Sequence, residues 1–245
     1  MSILESDPRA RQIVEILRAA GIVPRKFGES RRDYSNFYSL SRYREYEDSD
    51  FEGLELLQVW PETVADSEYA GSTHYVRRAR LQKGVQFARS LHGDIIMVPE
   101  RIRLALQSAE FRGLDVAPLR VMKNTPNPDD DPTREADTSK IGGPWWTIEP
   151  LITLPPVSPY LSKVRGKDGG PGPRDAKWLV IREPGFDDVE FHFLRSELRQ
   201  VPEFDFARTY EGWPSGGIVV SKRFYDFCKE HNLKCGFKPV RIDEE

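Results

Sequence analysis

Apolar residues in this chain come in short runs, and the spacing inside each run names the element it predicts. Leu54–Trp60 (LELLQVW), Trp145–Leu154 (WWTIEPLITL), Lys177–Arg182 (KWLVIR) and Val189–Leu194 (VEFHFL) are rich in β-branched and aromatic residues, as strands are. In the first of them Leu57 and Val59 share a face, which fits a half-buried edge strand. In the last, His192 alternates with Phe191 and Phe193, which sends the imidazole to the face opposite the rings, toward solvent. A helical period appears after Ser6-Asp7-Pro8, an oxygen acceptor followed by a proline whose missing N–H costs nothing at the first position. Ala10, Ile13, Ile16, Leu17 and Ala20 form its apolar stripe, and Gly21 ends it. From Lys26 to Asp50 the chain is polar and aromatic, predicting irregular structure or short strands, and residues 75–91 follow no clean period.

One pattern occurs twice. Residues 93–120 (GDIIMVPERIRLALQSAEFRGLDVAPLR) return in changed letters as residues 215–241 (SGGIVVSKRFYDFCKEHNLKCGFKPVR). At an offset of 122, Ile96 falls on Ile218, Val98 on Val220, Arg101 on Arg223 and Ile102 on Phe224. After a one-residue gap Pro118 falls on Pro239 and Arg120 on Arg241. Each copy reads as a short apolar strand, a helix and a second strand. In the first copy the strand is Ile95–Val98, the helix runs from Pro99 to about Gln107 with Ile102 and Ala105 inward, and the closing strand is Val116–Val121. In the second, Ser221 is placed to cap the helix that carries Phe224, Phe227 and Cys228. Arg101 and Arg223 both stand at a helix start, where the dipole does not favour a cation, so each is expected to meet a carboxylate, most simply one in the other half. A repeat at nearly half the chain length predicts duplication. The fold expected is α+β, two related halves, each with a strand–helix–strand unit, on mixed or antiparallel sheet. The halves are 1–122 and 144–245, joined by the polar, acidic loop 123–143, and a second Pro/Gly-rich stretch spans 155–175.

Composition narrows the function classes. Among 245 residues, 38% are hydrophobic and 11% aromatic, enough for a real core. The 36 basic and 39 acidic residues are mixed along the chain, so no basic face is implied, which argues against a dedicated nucleic-acid binder. The first residues lack the layout of a secretory signal, and no apolar run approaches the ~18 residues of a membrane span, so a cytoplasmic protein with no membrane role is expected. Cys228 and Cys235 are too few for a disulfide framework, and with His231 they make only an incomplete tetrahedron, so neither metal nor cofactor is expected.

Catalytic signatures are missing: there is no Walker A loop, no G-x-G-x-x-G opening a helix, no G-x-S-x-G, no H-E-x-x-H and no C-x-x-C. His74, His92, His192 and His231 sit in different segments. Asp129, Asp130 and Asp131 are consecutive, without the alternate spacing and turn glycine of a metal loop, and read as solvated. Trp145-Trp146 after Gly142-Gly143-Pro144 is the strongest binding signal. Adjacent strand residues point to opposite faces, so one indole can be core and the other an interface anchor, with the Asp129–Asp131 loop as an acidic rim. These observations favour a binding protein; an enzyme acting on nucleic acid or nucleotides between the halves, or a scaffold subunit of a larger assembly, are the alternatives.

The segment Asp205–Ile242 carries Asp-Phe-x-Arg, a strand entering a helix as IVVSKRF, and a terminal Phe-x-Pro-Val-Arg. With the strand–Arg–helix unit at Ile95–Leu106, it resembles the myxobacterial family named for its double CXXCG motif, and more loosely other immunity proteins of polymorphic toxin systems. About a third of the chain carries the resemblance. Neither CXXCG pair is present, so the zinc knuckles of that family do not carry over. The resemblance implies a cytoplasmic immunity protein that binds a cognate toxin, and the acidic rim implies that the toxin is basic.

Overall fold

The computed structural model describes residues 2–4, 12, 13, 15, 16, 19, 26–29, 36–39, 46–65, 67–70, 73–77, 81–90, 95–123, 135–158, 164–165, 180–181, 190–211 and 217–244. The chain forms two compact units, Met1–Glu45 with Pro184–Asp188, and Tyr46–Glu183 with Val189–Glu245. In the first, strands β1 (Ser2–Leu4), β2 (Lys26–Glu29) and β3 (Asn36–Ser39) make an antiparallel sheet in the order β1-β3-β2. The described residues between 12 and 19 are helical, as Ser6-Asp7-Pro8 predicts. Ile13 is half-buried but Ile16 is 68% exposed, so the apolar stripe does not extend to it. At 100° per residue Ile16 sits 60° round the helix from Ile13, toward the solvent edge.

Both repeats, 93–120 and 215–241, lie in the second unit, while Met1–Glu45 of the N-terminal half belongs to the first. The first half runs β4 (Leu56–Val59), β5 (Thr63–Val64), β6 (Ser67–Ala70), β7 (Thr73–Arg77), β8 (Ala88–Arg89), β9 (Ile96–Pro99), helix α1 (Glu100–Ser108) and β10 (Leu114–Met122). The second begins with β11 (Trp145–Pro150), β12 (Ile152–Thr153) and the paired β13 (Val164–Arg165) and β14 (Val180–Ile181). It continues with β15 (Phe191–Leu194), the single turn α2 (Arg195–Leu198), β16 (Phe206–Arg208), β17 (Ile218–Ser221), α3 (Lys222–Glu230) and β18 (Phe237–Asp243).

Two mixed sheets result, in the orders β5-β8-β9-β11-β10-β7-β6 and β12-β16-β17-β4-β18-β15. Strand for strand they match, leaving β6 over: parallel at β5/β8 and β12/β16, antiparallel through the middle, and parallel again at β10/β7 and β18/β15. The fold is therefore α+β with two related halves, as expected. The centre of each sheet was not foreseen. β9 and β10 enclose β11, a strand of the second half, while β17 and β18 enclose β4, a strand of the first. Each half lends its opening strand to the other. Register repeats too: Val98 and Pro118 both face Trp146, as Val220 and Pro239 both face Leu57.

This exchange corrects two expectations. β4 is a central strand with all four residues buried, not a half-buried edge, because both of its neighbours come from residues more than a hundred positions away. The run 145–154 is two strands, since Leu151, 64% exposed, marks where the chain leaves one sheet for the other. Matching the sheets also extends the repeat. Phe87-Ala88-Arg89-Ser90 occupies the place of Phe206-Ala207-Arg208-Thr209, with Ala88 opposite Met97 and Ala207 opposite Val219. In both copies the hydroxyl residue clasps the next strand. Ser90 N–H donates to the Ile95 carbonyl at 2.9 Å and Ile95 N–H to Ser90 Oγ at 3.4 Å; Thr209 and Gly217 do the same at 3.0 and 3.0 Å.

The two sheets and both helices share the main core. Leu57, Val59, Ile96, Val98, Ile148, Phe206, Ile218 and Val220 point into it, and Ile102, Leu106, Phe224 and Cys228 meet them from the helices. The alternate strand positions face outward into two satellite cores, with Met97, Val121 and Trp145 in one and Leu56, Val219 and Phe193 in the other. Strands buried on both faces read as continuous apolar runs, which is why IIMV and GIVV lack alternation. Phe224, fully buried, contacts the rings of Phe206 (4.7 Å), Phe111 (5.6 Å), Phe237 (6.0 Å) and Phe87 (6.2 Å) edge-on. Each repeat helix, α1 and α3, is followed by a non-glycine in the left-handed region, Glu110 and Asn232, both at φ 50 and 122 positions apart.

Candidate binding site

The strongest sequence candidate, Trp145-Trp146, splits as adjacent strand residues must. Trp145 is 1% exposed, packs in a satellite core and donates its indole N–H to the Ile141 carbonyl at 3.3 Å. Trp146 is half-buried on the other face, and Arg103 of α1 lies over its ring at 4.5 Å. That guanidinium is held in place by Glu100 (2.8 and 2.7 Å) and Gln107 (2.9 Å), so the indole carries a cation of its own chain. Asp129, Asp130 and Asp131 lie outside the described residues, so no geometry joins them to the indoles.

The paired arginines diverge. Arg223 does meet a carboxylate, Asp205 at 2.8 Å, but Asp205 belongs to its own half; what it reaches in the other half is the Ala109 carbonyl at 2.5 Å. Arg101 is exposed at the equivalent place, and it is Arg103, two residues on, that finds an acid. The expected cross-half pairing fails at Arg223 because β16 lies beside β17 and brings Asp205 to the start of α3, and in α1 Glu100 pairs with Arg103 rather than Arg101. Ser221 stands at the N-cap position but makes no cap bond; its hydroxyl donates to Asp205 Oδ1 at 2.7 Å. Asp205 is the hub here. Its carboxylate, 1% exposed, also accepts the Arg112 N–H at 2.9 Å. Burial pushes its pKa up, but the Arg112 N–H, the Ser221 hydroxyl and the Arg223 and Arg112 charges outweigh that and hold it below the usual aspartate value. His192 is 30% exposed rather than free in solvent, and Asp243 Oδ1 lies 3.0 Å from its Nδ1.

Sequence reasoning missed a cavity of about 330 Å³ at the C-terminal end of α3. Its walls are Tyr46, Phe51, Tyr225 and Phe237, with Cys228 and Cys235 beneath. The rings interlock at 6.1 Å (Tyr46–Phe51), 5.4 Å (Phe51–Tyr225) and 5.1 Å (Tyr225–Phe237). Local chemistry builds each wall. The 3-10 turn Asp48–Phe51 buries only Phe51 and leaves its acids outside; α3 presents Tyr225 and Cys228 three residues apart on one face; and the start of β18 brings in Phe237. On the rim Lys229 donates to both Asp48 oxygens at 2.6 Å, and Tyr225 Oη donates to Asp48 at 3.4 Å.

No reactive group faces this cavity among the described residues. Burial pushes the Cys228 thiol up to about 12, and burial followed by the neighbouring Cys228 puts Cys235 well above its usual value, so neither supplies a thiolate at neutral pH. The Lys229 hydrogen bond and charge hold Asp48 ionised, below its usual range, and it is already an acceptor for that lysine. A pocket so lined can grip an apolar group but has no base or nucleophile poised to act on it. The signal legible in the sequence was the aromatic spacing, Tyr46 and Phe51 set among acids and Tyr225 beside Cys228, but nothing in the letters brings residue 51 to residue 225.

No family model matches this chain, and no curated protein matches it in sequence. Among the described residues no group of His, Cys, Asp or Glu is arranged to hold a metal ion, and no helix is long and apolar enough to cross a membrane.

Proposed function

We propose that this chain is a cytoplasmic binding protein of the immunity class, which neutralises a cognate toxin by occupying it rather than by chemistry of its own. The observation that carries the reading is the aromatic pocket, whose cysteines are held as thiols and whose carboxylate is tied to a lysine. The segment resembling the double-CXXCG family supports it as well, because Asp205–Ile242 supplies Tyr225, Cys228, Lys229, Leu233, Cys235 and Phe237 of that pocket. Against the enzyme alternative stands the filling between the halves, where Phe111, Phe206 and Phe224 close edge-to-face at 4.7 to 5.8 Å. The test is survival: a candidate toxin recovered by pull-down from the producing cell is expressed with and without this chain, and binding of the purified pair is measured. Rescue with a stable complex and no turnover of nucleotide or RNA is expected. Turnover by the purified chain, or rescue without binding, would overturn the reading.

A further inference from the structure

Four exposed carboxylates, Glu47, Asp48, Asp50 and Glu52, lie on or beside the 3-10 turn that gives the aromatic pocket its Asp48 and Phe51, and no cation stands among them in the sequence. Resting on the binding reading above, we infer that the pocket receives one aromatic side chain from a basic segment of the protein partner. Three observations lead there. The cavity, about 330 Å³, lies at the small end of ligand pockets, room for a single ring system and not for an extended cofactor. Its walls are rings packed against one another at 5.1 to 6.1 Å, a fixed aromatic surface on whose outward faces and edges one more ring can pack edge-to-face. Its polar groups are committed to one another, Asp48 to Lys229 and Tyr225, and therefore do not orient a polar small molecule. Orientation has to come from contacts around the ring, as in a protein anchor surrounded by a charged rim, and here four acids (Glu47, Asp48, Asp50 and Glu52) stand against two cations, Lys229 and the exposed Lys234.

Lys229 does not cancel that sign. Its ammonium is consumed by Asp48, and Lys222, the other cation near Tyr225, sits 4.0 Å from the Tyr225 ring while pairing with Asp226 at 2.6 Å. Glu47 and Asp50 accept backbone N–H groups of the turn and their charges meet no cation among the described residues, and Glu52 is exposed beside them. A basic segment would gain in encounter rate at low salt and lose that gain when the field is screened.

The probes are three capped pentapeptides on the full chain: Arg-Lys-Trp-Lys-Arg, the same with Ala for Trp, and Glu-Glu-Trp-Glu-Glu. Binding is followed by amide shifts of Lys229, Gly236 and Phe237. The basic Trp peptide should bind about tenfold more tightly than either control, and Glu52→Lys should weaken it several-fold. Leu233→Trp, which places an indole at the cavity wall, should abolish the shifts while the thermal transition survives. If the Ala peptide shifts the same amides equally, attraction is by charge alone and the pocket assignment is wrong. If the acidic peptide binds as well as the basic one, the charge assignment is wrong; both conclusions stand on wild type and Glu52→Lys even where Leu233→Trp does not fold. In the survival assay a folded Leu233→Trp that still rescues overturns the pocket while leaving the immunity reading intact. Failure of wild type to rescue overturns that reading.

Discussion

Replacing Asp205 by alanine should destabilise the protein by about 2–4 kcal/mol. Breaking a buried ion pair by removing one partner costs about 3–5 kcal/mol when the other charge is left stranded. Here Arg223 is half exposed and can turn to water, which lowers the figure, but the Arg112 N–H and the Ser221 hydroxyl lose their acceptor. For a unit of this size that amounts to roughly 5–15 °C in Tm. Asp205→Asn keeps the shape and tests the charge. The native carboxyl sits below its usual pKa, so its contribution is present above the unfolded value near ~3.9 and is lost as pH falls through the folded value. Asparagine cannot titrate, so the gap between wild type and Asp205→Asn should hold steady above about pH 5 and shrink as pH falls below about 4. Urea unfolding followed by tryptophan fluorescence from pH 7 to pH 3 measures both quantities, and an unchanged m-value confirms that the same surface is exposed. A cost below about 1 kcal/mol for alanine, or a gap that does not move with pH, would refute the account of Asp205 as a paired, ionised hub.

Glu110→Asn should add about 0.5–1 kcal/mol in the same assay, since glutamate at φ 50 is strained where the equivalent site already holds Asn232. Phe224→Ala should cost about 3–5 kcal/mol, because four rings close on Phe224; a cost near 1 kcal/mol would mean that the core collapses into the gap. Cys228, 2% exposed and with its thiol pushed up to about 12 by burial, should react with a thiol reagent at pH 8 only after unfolding, which a Cys235→Ser background isolates; rapid labelling of native protein there would contradict this. Fragments cut within the 123–143 loop should fold only together, since each lacks the strand at the centre of its sheet; a cooperative transition in either one alone would show that the exchanged strands are dispensable.

The letters by themselves determined a good deal: the duplication, both strand–helix–strand units, and the mixed α+β class. These are local or self-similar properties, since a helix period, a run of β-branched residues and a repeat offset are all visible within a few positions. β4 was recognised as a strand from LELLQVW for the same reason. That it lies between β17 and β18, while β11 lies between β9 and β10, was decided only in the tertiary structure. Pairing depends on which backbone edges meet, and edges leave no mark in composition. Half the repeat went unread at the Phe87–Ser90 and Phe206–Thr209 clasps, where the offset is 119 rather than 122 because the connecting loops differ in length. The same gap separates the two sites. Trp145-Trp146 announced itself as adjacent indoles, yet one indole is core and the other lies beneath Arg103. The pocket was silent because Tyr46 and Phe51 meet Tyr225 and Phe237 across more than 170 positions, and only packing brings those rings together.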